Sequence, residues 1–126
     1  MSSDVIRMTV PALLAYARLP RVAIAGLATR SGFSYDEVED LRLAIGEVVQ
    51  VLLDGADRDG TLSIAFSVAR GHMDVEVTAD GPAGRQDGTG EKLSRQILDA
   101  TVGDVEVSEE GRRISFSKTA LEDDDA

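Results

Sequence analysis

Two features of this chain have the residue types and spacing to do chemistry. One is a lone glutamate, Glu47, with Leu43 and Val51 four residues to either side; the other is a glycine-rich run, DGPAGRQDGTG, at residues 80–90. On a helix, a carboxylate between two apolar neighbours is unusual for a solvated face. It marks a second surface on that helix, one that meets something other than water. The run at 80–90 holds four glycines in eleven residues, and a loop of that length is uncommon without a functional reason. Ahead of a short helix, its exposed amides and the helix N-terminus can hold phosphate, although surface turns collect Gly, Asp and Pro as well. Other arrangements fall short. His72 is the only histidine; without a paired ligand at metal spacing it reads as an exposed turn residue. Asp57, Asp59 and Gly60 open like a calcium loop but lack the closing glutamate, and nothing beyond the letters supports a Ser-His-Asp triad. No metal site is expected.

The elements that must position these residues are legible in the hydrophobic pattern. Over 35–54, Val38, Leu41, Ile45, Val48, Val49 and Leu52 recur at three- and four-residue intervals and form one apolar helical stripe. Ser34 and Glu37 have the spacing of a capping box at its start. Residues 5–10 alternate, with Ile6, Met8 and Val10 on one side, and Pro11 closes a strand of edge character. Residues 12–30 read as a helix that Pro20 either starts or bends, ended by Ser31-Gly32. Strict period two at 61–70 and alternation at 73–79 give a hairpin turning at Gly71-His72. A short helix follows over 92–102, with Leu93, Ile97, Leu98 and Ala100 on its packing side. Val105 and Val107 begin a strand, 109–111 turn, and Ile114 and Phe116 lie on a last strand. Each later strand has one apolar face, so the fold expected is α/β, with an antiparallel or mixed sheet covered by helices on one side only.

With 126 residues and 43% hydrophobic content the chain makes one core. It has no cysteine, which removes disulfides and thiolate chemistry and suits a reducing cytoplasm. No apolar run is long enough to span a bilayer, and residues 1–8 lack the pattern of a signal peptide. A formal charge of −10 argues against nucleic acid, whose phosphates need lysine and arginine. Residues 1–119 are read as one domain, and 120–126 as an acidic disordered tail.

The order of elements, together with VPA at 10–12, GLATRSGFSYDEVEDLRLAIGE at 26–47 and DVEV at 104–107, resembles the RsbW-type anti-sigma factors. These are the serine-protein kinase branch of the Bergerat-fold ATPases, the group that includes histidine-kinase ATP domains. The similarity runs over about residues 4–119 and is strongest over 10–47.

The resemblance implies a two-layer sandwich, with helices on one face of a mixed, mostly antiparallel sheet. It implies a cytoplasmic homodimer that binds a sigma factor and uses Mg-ATP to phosphorylate a serine of an anti-anti-sigma (STAS-type) antagonist. In the family a helical glutamate acts as base and an asparagine four residues later ligates magnesium; Glu47 matches the first, and Val51 falls at the second. An Asp-x-Gly whose aspartate reads the adenine amino group falls on Ala79 and Gly81, with Asp80 able to serve only if the strand end shifts by a residue. Gly88 and Gly90 can supply the later Gly-x-Gly, whereas an ungapped match from DVEV places Lys92 and Ser94 there. An arginine of the first helix, which contacts sigma factor and antagonist, matches Arg21. The expectation is therefore a degenerate member, an anti-sigma-like regulator with weak or lost ATP and magnesium binding, with an active serine-protein kinase using Glu47 as the alternative.

Overall fold

Alternating side chains build the sheet on which everything else rests. The computed structural model describes residues 3–81 and 88–121. Strands β1 (Asp4–Pro11), β2 (Thr61–Ala69), β3 (His72–Asp80), β4 (Gly103–Val107) and β5 (Arg113–Thr119) lie in the order β1-β2-β3-β5-β4. All four pairings are antiparallel. The α/β two-layer architecture is as expected, but the sheet is antiparallel throughout these pairings, not mixed. Each crossing to a neighbouring strand reverses direction, so no strand needs a parallel crossover.

Leu62, Ile64 and Phe66 of β2 face Ala79, Val77 and Val75 of β3, and Val77 and Val75 in turn face Ile114 and Phe116 of β5. All eight are buried on the helix-covered side. Each of these side chains removed from water contributes about 1.5–3 kcal/mol, the small Ala79 less. Truncating the fully buried Phe66 to alanine is expected to cost about 3–5 kcal/mol.

The helical layer is α1 (Arg18–Arg30), α2 (Tyr35–Gly55), α3 (Thr89–Lys92) and α4 (Arg95–Thr101). The apolar stripe of α2 is buried at every predicted position. Its start is a complete capping box: Glu37 N–H donates to Ser34 Oγ at 3.2 Å and Ser34 N–H to Glu37 Oε1 at 2.8 Å. Helix α1 begins later than residue 12, after a 3-10 turn at Leu14–Tyr16. Pro20 sits in the first turn of α1 and is buried; a missing N–H there forfeits no intrahelical bond. The single helix expected over 92–102 is instead two short ones. Leu93 is extended between them and buried, and Ser94 caps the second. Leu98 packs as expected, while Ile97 and Ala100 are exposed. His72 is the first residue of β3, paired with Thr119, and not part of the turn.

Two long-range ties complete the domain. Lys118, inward-facing on β5, donates to Asp40 Oδ2 of α2 at 3.3 Å and to the Thr101 carbonyl at the end of α4, where a cation also suits the helix dipole. The chain stays attached beyond residue 119. Ala120 N–H donates to the Gly71 carbonyl at 2.7 Å, and Leu121 N–H to Glu37 Oε2 at 2.8 Å. Residues 120 and 121 are thus part of the domain, and the rest of the expected tail, 122–126, lies outside the described residues. Burial pushes the Glu37 carboxyl up, but the Ser34 and Leu121 N–H groups, the Ser34 hydroxyl and the Lys118 charge outweigh it, and its pKa lies below the ordinary value.

Candidate functional site

Glu47 is half-buried on the flank of α2, and its carboxylate is engaged. Ser94 N–H donates to Glu47 Oε2 at 2.9 Å, while Ser94 Oγ accepts from Ile97 N–H at 3.3 Å. Ser94 is the N-cap of α4, and the third helical position that would close a local capping box is Ile97, which has no carboxylate. Glu47 therefore does for Ser94, from another helix, what Glu37 does for Ser34 within α2.

Arg21 is exposed on α1 and lies over Gly46 of α2; a Cβ on Gly46 would stand 3.4 Å from Arg21 Cδ. Any larger side chain at 46 would lift the arginine away. A depression of about 420 Å³ on this outer side includes Arg21, Leu43, Gly46, Glu47, Gln50 and Ile97 in its lining. Two of the predicted residues, Arg21 and Glu47, are thus brought together there. Leu43 is 58% exposed.

The other predicted residues lie elsewhere. Val51 and Ala79 belong to the hydrophobic core, together with Leu93 and Leu98 of the α3–α4 segment. They are 6% and 3% exposed. The strand end does not shift to bring in Asp80: it pairs with Thr61, faces away from the helices and accepts a hydrogen bond from Ser63 Oγ at 3.1 Å. Gly81 and Gly60 approach so closely that a Cβ on Gly81 would stand 2.7 Å from Gly60 Cα, and one on Gly60 2.5 Å from the Asp80 carbonyl oxygen. With φ at +147°, Gly81 is a position for glycine whatever binds nearby. Gly88, at φ +78°, precedes α3, and a Cβ on Gly90 would meet nothing within 4 Å. Thr89 is buried and donates to the Gly111 carbonyl at 2.8 Å. Part of the glycine-rich run, 82–87, lies outside the described residues.

At the two positions where the resemblance puts a magnesium ligand and a base reader, the side chains are apolar. Magnesium takes oxygen ligands, and Val51 offers none; Ala79 offers no side-chain acceptor for an amino group. Among the described residues no group of three or more His, Cys, Asp or Glu is placed to hold a metal ion, and no helix is long and apolar enough to cross a membrane.

Two charged residues escaped the sequence reading, Arg112 and Lys118. Both continue the inward row of the last strand, at the two-residue spacing of Ile114 and Phe116. The Nη2 of Arg112 donates to the Gly81 carbonyl at 3.2 Å. The signal was available, since a cation in phase with a buried apolar row is bound to meet the layer above it.

No family model matches the chain. The serine-protein kinase RsbW of Halalkalibacterium halodurans is 33% identical over 91 residues, 71% of this chain and 56% of that protein. The RsbW of Bacillus subtilis is 36% identical over 83 residues, 64% of this chain and 52% of that protein. The chain spans about half the length of these relatives. Among solved structures, that of the RsbU and RsbW domains of a Mycobacterium tuberculosis protein superimposes with a TM-score of 0.64 at 15% identity, covering 93% of this chain and 32% of that one. The structural likeness carries the fold alone, and the sequence relatives carry the kinship: over 64–71% of its length the chain is similar to the RsbW serine-protein kinases.

Proposed function

We propose that this protein is an anti-sigma-like transcription regulator that binds a sigma factor, its anti-anti-sigma (STAS-type) antagonist, or both, with its nucleotide site decayed. The observation that carries the second half is the burial of Val51 and Ala79 in the core, where a Bergerat-type site needs a metal ligand and a base reader. Glu47, the carboxylate left over, is occupied by the α4 cap. The partner surface is the outer side of α1 and α2, where Arg21 crosses Gly46 beside the exposed Leu43. The working form is a cytoplasmic homodimer. The charge of −10 favours a basic partner and speeds its encounter more than it sets affinity.

Calorimetric titration with ATP, with and without magnesium, tests the reading. The expected result is no saturable heat in either case. Magnesium-dependent saturation would put the serine-protein kinase first, with Glu47 as base, as the names of the relatives suggest. Replacing Arg21 by alanine is expected to weaken the complex with the sigma factor or antagonist at least tenfold, as for a central interface arginine. Unchanged affinity would remove Arg21 from the surface.

A further inference from the structure

Arg112 stands just ahead of β5, two residues before Ile114 on the row that faces the helices. Its carbonyl oxygen accepts the N–H of Ala79 at 2.7 Å, so its side chain leaves the backbone directly beside Ala79. From there it reaches along the end of β3 to the Gly81 carbonyl, 3.2 Å from Nη2. Its Nε is buried and has no acceptor among the described residues. The adjacent acid, Asp80, is turned to the opposite face of the sheet and bonded to Ser63. The backbone that carries Arg112 is fixed as well, because Ser108 Oγ accepts the N–H groups of both Arg112 and Arg113, at 3.2 and 3.1 Å. The residue before it, Gly111, is held by Thr89.

We propose that Arg112 is the chain's own occupant of the base end of the nucleotide cleft and the residue that excludes adenine nucleotides from it. The proposal rests on the reading of Val51 and Ala79 given above and adds a residue that acts by filling the site. Two arguments carry it. The guanidinium reaches along residues 79–81, where the resemblance puts the reader of the base. Its chemistry also differs from that of an aspartate at this place, since a guanidinium only donates hydrogen bonds and cannot accept from the adenine amino group, even though the ring nitrogens of adenine can accept. Where an aspartate would accept that amino group, this chain offers a donor against a donor. A buried N–H without an acceptor is rare in folded proteins and calls for a reason. Here the side chain is held in place by the Gly81 carbonyl, which takes its Nη2.

The test compares Mg-ATP binding, by calorimetry, among the wild type, the double variant Val51→Asn/Ala79→Asp, and the same double variant carrying Arg112→Thr. The wild type and the double variant are expected to show no saturable binding, and the triple variant to show saturable binding. Equal binding by double and triple variants overturns the proposal. So does absence of binding by a triple variant whose cooperative melting shows that it is folded. If Arg112→Thr prevents folding, Arg112→Gln in the same background keeps a donor for the Gly81 carbonyl and decides the matter, with saturable binding expected and its absence overturning it. Saturable binding by the wild type would overturn the decayed-site reading, and Arg112→Thr alone would then judge this proposal: tighter binding upholds it and unchanged binding overturns it.

Discussion

The Ser94 N–H donates to Glu47 Oε2 at 2.9 Å across 47 residues of sequence, so the start of α4 is capped by a side chain of α2. This makes Glu47 a structural residue first. Replacing it with alanine is expected to cost about 1 kcal/mol, the usual size of a lost N-cap interaction, or roughly 4 °C in melting temperature for a chain of this length. Urea unfolding checks it. An unchanged midpoint would mean that the contact adds nothing to stability and would return Glu47 to a purely chemical role.

Glu37 carries the pH dependence. Burial raises its pKa, but the hydrogen bonds from Ser34 and Leu121 and the charge of Lys118 bring it below the ordinary 4.5. A carboxyl whose folded pKa is depressed stabilises the fold above its unfolded pKa. That contribution is lost as pH falls through 4.5 toward the folded value. Stability from urea titrations at a series of pH values is therefore expected to fall more steeply below pH 4.5 in the wild type than in Glu37→Gln. Parallel curves would show that the Leu121 and Lys118 contacts do not favour the ionised form.

Gly81 is expected to tolerate no side chain. With φ at +147° and Gly60 Cα 2.7 Å from where its Cβ would stand, Gly81→Ala forces backbone apart, and a cost of about 2–4 kcal/mol follows from combined overpacking and strain. Gly90→Ala, where a Cβ meets nothing within 4 Å, is the control and is expected to stay within about 0.5 kcal/mol. Equal melting temperatures for the two variants would show that the Gly60–Gly81 approach relaxes freely.

How much of this could be read from the chain depends on how far apart the interacting residues are. The Ser34–Glu37 box and the α2 stripe were legible because their partners lie within a turn or two of helix. The flanks of Glu47 were misjudged for a geometric reason. Leu43 and Val51 are eight residues apart, which turns them roughly 80° from one another around the helix. That angle is enough to leave Leu43 58% exposed while Val51 is 6% exposed in the core. The break at Leu93 and the cap at Ser94 were hidden because the group that stabilises them, Glu47, comes from a distant element. Arg21 was singled out by its match to the family, but its seat over Gly46 depends on how α1 crosses α2, which no local pattern encodes.

The register of β1 on β2 has a consequence for the order of assembly. The β2–β3 hairpin closes between Ala69 and His72, a loop that forms with little entropy loss. Strand β1 pairs only with residues 50 to 64 positions away, from Pro11 with Thr61 to Asp4 with Val68, and both long helices lie between. Non-local pairings of this kind are slow to form. The hairpin is thus the expected nucleus and β1 the late arrival, added after α1 and α2 have docked. In the folded protein the same strand, held by one neighbour at the sheet edge, is where amide exchange is expected to be fastest among the long strands, because its opening leaves the rest of the sheet intact.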